Sequence, residues 1–349
     1  MRSNNSNSGD ESICIIRLSA IGDVTHMLPI IHSIQKFRPH ARITWIIGKV
    51  EYKLVGDLPN IEFIQFDKNL GLRAYREVLK QTHGRSFDTL LACQVSLRAN
   101  LLTALISAKR KIGYDKVRAK DGHSLVIKET IPPANIHVLD SFFQFIEQLG
   151  IAHKKLDWSL PIPEEAHEFA EHVIPNNQRV LAISPCSSHT LRNWHAEGYA
   201  AVANYAVKQH HAKIVLLGGF SALEKEFGEK ISALLDEPAI NLIGKDTLKK
   251  LLAILQRCTV LLTPDSGPAH IATCVNTPVI ALHAASNSLR SGPYLSQDWC
   301  VDKYSEAASK YLHKAVNEIR WGTKIEQPGV MQLIEAEDVI IKLDQLFQQ

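Results

Sequence analysis

The sequence predicts an α/β chain of two doubly wound domains. Three observations carry that expectation. The chain has 349 residues, more than one core usually fills. Short apolar runs alternate with helix-period stretches along its length, the mark of βαβ units and parallel sheets. The pattern also restarts midway. Residues 41–48 (ARITWIIG) and 212–218 (AKIVLLG) share an opening alanine, a basic residue, an isoleucine and a closing glycine, each as the second strand of its half.

Hydrophobic residues make up 45% of the chain and charged residues 21%, an ordinary globular balance. The formal net charge of +3 is too small to argue nucleic acid, and it suits an acidic substrate or an anionic membrane surface. No apolar run approaches the ~18–20 residues of a membrane span. Residues 1–11 are polar and lack a signal-peptide core, so a disordered tail and a cytoplasmic chain are expected. The six cysteines form no CxxC pair, and Cys14 and Cys93 lie in apolar runs, which reads as reduced structural thiols.

Taken in order, residues 12–18 (SICIIRL) read as a buried strand and 19–23 (SAIGD) as a turn. Apolar residues at 24, 27, 28, 31 and 34 give an amphipathic helix over 24–37, with Pro29 as a kink or restart. Residues 41–48 complete a βαβ unit. Runs at 61–66, 88–92 and 124–127 are further strands. Residues 160–164 (LPIPE) and 175–178 (PNNQ) flank a short helix and read as the crossing between domains. The second half opens with strand 180–184, a turn at 187–189, a helix over 199–209 and strand 212–218. Strands at 239–243, 260–263 and 278–282 alternate with helices after it. The last helix, 335–347, has no strand to follow and is expected to pack back on the first domain. The expected boundaries are a tail over 1–11, a first domain over 12–163, a second over 176–325 and a terminal helix within 330–349. The strand C-termini of the two sheets are expected to face each other across a cleft, where ligands bind in such folds.

Residues 260–273 (VLLTPDSGPAHIAT) join a buried strand, a sharp turn and a helix start. Thr263, Asp265 and Ser266 suit the cap, Gly267 lets backbone approach a ligand, and Pro268 suits the first helical turn. Outward N–H groups at such a turn suit an anion, phosphate above all. The turn at 185–194 (PCSSHTLRNW) sets Ser187, Ser188 and Arg192 near a helix head, where hydroxyls and a cation suit phosphate as well as an ordinary capped turn. Glu224, closing GGFSALE, suits ribose hydroxyls or the first turn of its helix. Asp23 suits two roles, an N-cap or a carboxylate that takes a proton from a hydroxyl. His26 lies one turn further along the same wall. No GxGxxG follows the first strand, which argues against a dinucleotide cofactor. There is no Asp-x-Asp pair, the usual cue for a metal bridging a nucleotide diphosphate, and the His pairs at 210/211 and 167/172 lack metal-site partners. Neither a metal nor a cofactor is expected.

With these turns in hand, the chain resembles the ADP-heptose:lipopolysaccharide heptosyltransferases, glycosyltransferase family 9. The resemblance rests on SAIGDVTHMLP, SSHTLRNW, LLGGFSALE, and PDSGPAHIA followed by TPVIALHAASN. TWIIGK, FDK, RAYR, QVSLRAN and IHVLD are similar to the heptosyltransferase I branch, which adds the first heptose to Kdo on lipid A. The resemblance implies the GT-B architecture, two Rossmann-like domains with the nucleotide sugar on the second and the acceptor on the first, and inverting, metal-independent transfer. It puts the base on Asp23 and the diphosphate on Ser187, Ser188, Arg192, Ser266 and Gly267, with Asp265 and His270 beside the donor and Glu224 at the nucleoside. Arg73, Arg76, Lys120 and His137 fall near the acceptor positions in the first domain. Arg192 stands where other members have Lys, Ser187 and Ser188 where they have Thr, and Lys120 where they have Arg. The implied partners are ADP-heptose, a Kdo-lipid A acceptor and the anionic cytoplasmic face of the inner membrane, with no nucleic acid.

Two other readings stand beside this one. One is a GT-B transferase that uses another nucleotide sugar or adds the second heptose. The other is a non-catalytic two-lobed solute-binding protein, which normally needs an export signal that the sequence does not display.

Overall fold

The computed structural model describes residues 11–175 and 178–348. Residues 1–10 of the tail expected over 1–11, and residues 176 and 177 at the expected start of the second domain, lie outside the described residues. The chain divides into two compact units, Met1–Ala134 with Val138–Trp158, and Asn135–His137 with Ser159–Gln349.

The first unit runs β1 (Ser12–Ile16), α1 (Ile21–Phe37), β2 (Arg42–Gly48), α2 (Lys49–Val55), β3 (Ile61–Phe66), α3 (Leu72–Thr82), β4 (Phe87–Ala92), α4 (Leu97–Leu105), β5 (Ala108–Gly113), α5 (His123–Val126), β6 (Glu129–Thr130) and α6 (Val138–Glu147). Its strands pair in the order β3-β2-β1-β4-β5-β6, all parallel. Ile13 on β1 faces Ile43 of β2 on one side and Thr89 of β4 on the other. A parallel sheet covered on both faces explains why Ile13, Cys14, Ile15 and Ile16 are all buried and read as one apolar run. The helix expected from residue 24 starts at Ile21 and continues through Pro29 without a break.

Two expectations fail here for local reasons. Residues 124–127 do not form a strand, because Gly122, at φ 79°, opens the helical turn α5 and the strand falls later, at Glu129. β5, with the sequence AKRKIG, was hidden by its charges. Lys109 is held by Asp88 at 2.7 Å and Arg110 by Glu129 at 2.7 Å, so these basic side chains are neutralised at the strand's own level.

The second unit runs α7 (Glu164–Val173), β7 (Val180–Ile183), α8 (Ala196–His210), β8 (Lys213–Leu216), α9 (Ala222–Ala233), β9 (Ile240–Asn241), α10 (Leu248–Gln256), β10 (Val260–Pro264), α11 (Gly267–Thr273), β11 (Val279–His283), α12 (Ser288–Ser291), β12 (Val301–Asp302), α13 (Tyr304–Ala307) and α14 (Ala336–Phe347). Its sheet order is β12-β11-β10-β7-β8-β9, again parallel. Counted from each unit's own first strand, both sheets have the order 3-2-1-4-5-6, which is that of the Rossmann fold. The order reverses between β1 and β4, and between β7 and β10, so the loops that leave those four strands are where ligands bind in this fold.

The boundaries differ from those expected. The first unit closes at Trp158, and α7, read as part of a crossing, belongs to the second unit. Its Ala166 and Ala170 are buried, and the carbonyl of Ile174 just beyond it accepts from Arg257 Nε at 2.8 Å. The terminal helix α14, expected against the first domain, is part of the second unit. Val339, Leu343, Leu346 and Phe347 join that unit's core, and Asp344 accepts from Tyr205 Oη at 2.9 Å and lies 2.6 Å from His210 Nε2, both on α8. The apolar stripe of α14 showed that it must cover something, and only these partners show what.

Candidate active site

In the second unit, the loop after β10 carries Asp265, Ser266 and Gly267. Pro268 takes the first turn of α11, and Ser266 occupies the N-cap position without a side-chain cap bond. Its hydroxyl instead meets Thr263 Oγ1 at 2.8 Å, and Thr263 Oγ1 donates to Ser184 O at 2.8 Å. The loops leaving β7 and β10 are thereby stitched at the reversal point. Asp265 does not cap either. Its carboxylate accepts from Lys324 Nζ at 2.8 Å, and its side chain is 11% exposed. Burial alone would raise this carboxyl, but the neighbouring His283 ring and the Lys324 ammonium outweigh it and hold the carboxyl well below the usual carboxylate range. Burial pushes the His283 imidazole and the Lys324 ammonium below their ordinary values. The ion pair to Lys324 fixes the position of Asp265.

The loop after β7 is tied to itself. Ser187 N donates to Asn193 Oδ1 at 2.7 Å, and Ser187 Oγ donates to His189 O at 2.9 Å. Ser188 is exposed. Arg192 closes a short 3₁₀ turn, Thr190–Arg192, and its Nε and Nη2 donate to Glu326 Oε1 at 2.7 and 2.5 Å. Ser221 caps α9 by accepting from Glu224 N at 3.2 Å, and the Glu224 carboxylate accepts from Ser221 Oγ at 2.5 Å and from Gly219 N at 2.7 Å. It therefore shapes the turn between β8 and α9. His270 is buried within α11.

In the first unit, Asp23 is the third residue of α1, whose N-cap is Ala20. That rules out the capping role. The carboxylate instead forms an ion pair with Arg17, at the end of β1. Arg17 is itself anchored: Nη1 donates to Cys93 O at 2.6 Å, its carbonyl accepts from Trp45 Nε1 at 3.1 Å, and its guanidinium lies 5.2 Å from the Phe142 ring centre. The loop beside Asp23 is held from β4, since Gln94 Oε1 accepts from Leu18 N at 2.7 Å and Ser19 N at 3.2 Å. The two strands at the first unit's reversal point thus fix one carboxylate.

The remaining expected residues divide. Arg73 and Arg76 lie exposed on α3, three residues apart, with Glu77 3.7 Å from Arg73. Lys120 is exposed, and its carbonyl accepts from Asn100 Nδ2 at 3.1 Å. His26 is 2% exposed, so it is a core residue of α1 and presents no face to a polar head group. His137 is not in the first domain. Asn135–His137 joins the second unit, where His137 Nε2 lies 2.9 Å from Gly292 O and the ring meets Tyr294 edge-on.

Sequence reasoning missed Arg17, Gln94, Lys324 and Glu326. A lone arginine closing an apolar strand was a usable signal for Arg17, because a charge there needs a partner. Lys324 and Glu326 lie far from every motif, and their only signal is the alternation Lys-Ile-Glu. Among the described residues no three His, Cys, Asp or Glu side chains converge as a metal site.

The geometry can be set against known proteins. The family model described as glycosyltransferase family 9 (heptosyltransferase) matches residues 75–320. The lipopolysaccharide core heptosyltransferase OpsX of Haemophilus influenzae is 40% identical over 337 residues, 96% of this chain and 97% of that protein. Among solved structures, a family 9 glycosyltransferase from Veillonella parvula superposes with a TM-score of 0.81 at 23% identity, covering 99% of each chain. The Escherichia coli heptosyltransferase WaaC with ADP gives 0.72 at 15% identity, over 96% of this chain and 99% of that one. These two share the fold of paired Rossmann-like domains that defines the GT-B architecture. The chain belongs to glycosyltransferase family 9, the heptosyltransferases.

Proposed function

We propose that this glycosyltransferase moves heptose from ADP-heptose to Kdo of the lipopolysaccharide inner core, with inversion and without a metal ion. The observation that carries the substrate assignment is 40% identity, spread over 96% of the chain, to a relative named as a lipopolysaccharide core heptosyltransferase. In the reading, a Kdo hydroxyl attacks the anomeric carbon from the face opposite the diphosphate. Asp23, ion-paired with Arg17, takes the hydroxyl proton as the new C–O bond forms. The bond to the diphosphate breaks with its electron pair, and ADP leaves. Arg192, the hydroxyls of Ser187 and Ser188, and the N–H groups of Ser266 and Gly267 meet the growing charge. His270 and Asp265 support the donor loop, and Glu224 supports the nucleoside turn.

Arg73, Arg76 and Lys120 are the cations assigned to the anionic acceptor. Peripheral contact with an anionic bilayer on its cytoplasmic face belongs to the same proposal. Leu97, Leu101 and Leu105 recur every fourth residue along α4 and are 60, 44 and 49% exposed, and Leu125 on α5 is 90% exposed. Asn100 fastens α5 to α4 by donating to Asp121 O at 2.9 Å and meeting His123 Nδ1 at 2.8 Å. Arg98, Lys116, Lys120 and Lys128 are exposed on the same elements and their loops. Apolar side chains rimmed by cations suit an anionic lipid surface. No helix among the described residues is long and apolar enough to cross a membrane.

A panel of nucleotide sugars with Kdo-lipid A as acceptor, read by mass spectrometry, tests the assignment. The expected product is the acceptor plus one heptose from ADP-heptose alone, in the presence of EDTA. Transfer only onto an already heptosylated acceptor would move the chain to the second step. Activity that EDTA abolishes and Mg²⁺ or Mn²⁺ restores would overturn the metal-free reading.

A further inference from the structure

The segment 324–326 lies outside every motif, yet it holds both loops assigned to the donor diphosphate. Ile325 is anchored in the core, 1% exposed, and its N–H donates to Ala285 O at 2.9 Å. Lys324 and Glu326, on either side of it, are only partly exposed. Lys324 takes Asp265 of the β10 loop, and Glu326 takes Arg192 of the β7 loop. His189 Nε2, also on the β7 loop, lies 3.5 Å from Glu326 Oε2.

We propose that Glu326 is a positioning residue for Arg192, fixing its guanidinium so that the edge left over faces the donor diphosphate. The inference rests on the reading that Arg192 meets that diphosphate. A guanidinium has two edges that can pair with an oxyanion. Glu326 occupies the edge made by Nε and Nη2. No bond among the described residues uses Nη1, so the edge made by Nη1 and Nη2 remains for phosphate, in the planar fork geometry that suits it. The pair is half-buried, with side-chain exposures of 22% for Arg192 and 25% for Glu326. A long side chain held in one rotamer before the ligand arrives no longer loses that freedom on binding. The carboxylate's own charge opposes the diphosphate. Positioning and opposition therefore predict opposite signs when the carboxylate is removed.

This also gives a reason for Arg where the resemblance expects Lys. An ammonium reaching the same place has no second edge to anchor, whereas a guanidinium can be held and can bind at once. The chain thus carries the cation and its holder on two segments more than 130 residues apart in sequence, with a separation of 134.

The test is a double-mutant cycle on the full chain, with ADP as the probe in calorimetry. Glu326→Ala is expected to weaken ADP binding about tenfold when Arg192 is present and to have no further effect in the Arg192→Ala background. A merely structural loss would weaken binding in both backgrounds, and that result would overturn the proposal. Glu326→Gln keeps an oxygen for the fork and should restore affinity to within about threefold of the native chain. If the Ala variant fails to fold, the Gln variant decides. Binding more than threefold tighter than native would mean that the carboxylate competes with the diphosphate, and a loss as large as that of Arg192→Ala would mean that its charge, not its placement, matters. If Arg192→Ala itself leaves ADP affinity unchanged, it is the donor reading that fails, and the cycle reports that separately.

Discussion

At the scale of single residues, the first unit holds one carboxylate through an anchored arginine. Arg17 is held by Cys93 O, Trp45 Nε1 and the Phe142 ring before it reaches Asp23, which gives the carboxylate a fixed direction. Asp23→Asn is expected to lower kcat by about 10²–10⁴-fold with little change in donor KM. Near-normal turnover in steady-state kinetics would remove Asp23 from the chemistry. Asp246 gives a second prediction of a different kind. It is buried, Oδ2 has no hydrogen-bond partner among the described residues, and burial raises its carboxyl from the ordinary 3.8 to about 7. A raised carboxylate pKa means the folded state binds the proton more tightly than the unfolded state. Stability then falls as pH rises from about 4 to 7 and stays lowered above that. Asp246→Asn should flatten this slope and stabilise the chain at pH 8 by on the order of 1–3 kcal/mol, measured by urea unfolding. Equal slopes in both proteins would show that the group stays solvated. Asp23 stood out in the sequence as a carboxylate where an apolar run gives way to a helix, and it lies in the first turn of α1. Its partner did not stand out, because whether Arg17 reaches Asp23 depends on how the turn between them is folded.

At the scale of elements, α3 and α4 each leave one face without a protein partner. On α3, Ala74 and Val78 are buried while Arg73, Arg76 and Lys80 are exposed. Replacing Arg73 and Arg76 together by Ala should raise the acceptor KM several-fold and leave the donor KM unchanged. Added salt should mimic the change, because exposed charges are screened over roughly 8–10 Å at physiological ionic strength. An unchanged acceptor KM would leave α3 as an ordinary solvated helix. On α4, Leu97→Ser and Leu101→Ser should reduce co-sedimentation with vesicles containing anionic lipid and spare turnover on a detergent-solubilised acceptor. Undiminished sedimentation would locate the contact elsewhere. Most strands were readable from sequence because parallel strands bury both faces and show as apolar runs. Two exceptions have local causes. Residues 124–127 are four apolar-leaning residues, too few for periodicity to separate a strand from a helical turn, and β5 carries its charges against Asp88 and Glu129.

At the scale of the whole molecule, two units with one strand order should behave as two folding blocks. A polypeptide of residues 159–349 is expected to fold alone and bind ADP. One of residues 159–334, lacking α14, exposes the surface that Val339, Leu343, Leu346 and Phe347 cover and should be far less stable. Thermal unfolding and calorimetry on the two pieces check this. A folded longer piece that binds no ADP would move the donor site. The repeat of strand, helix and glycine-closed strand made the two-unit plan visible in the sequence. The allegiance of α7, α14 and Asn135–His137 was not, because an amphipathic helix records that it has a partner but not which one.

The shared strand order also bears on how the protein is made. In each sheet the central pair joins strands far apart in the chain: Ser12 bonds Asp88 across 76 residues, and Thr263 bonds Ser184 across 79. At about 5–20 residues per second of synthesis, the wait for the second partner is on the order of several seconds. Through that interval the apolar edge of β1, and later of β7, is unpaired on one side. Each nascent half therefore presents an open strand edge of the kind that recruits other chains until its second partner emerges.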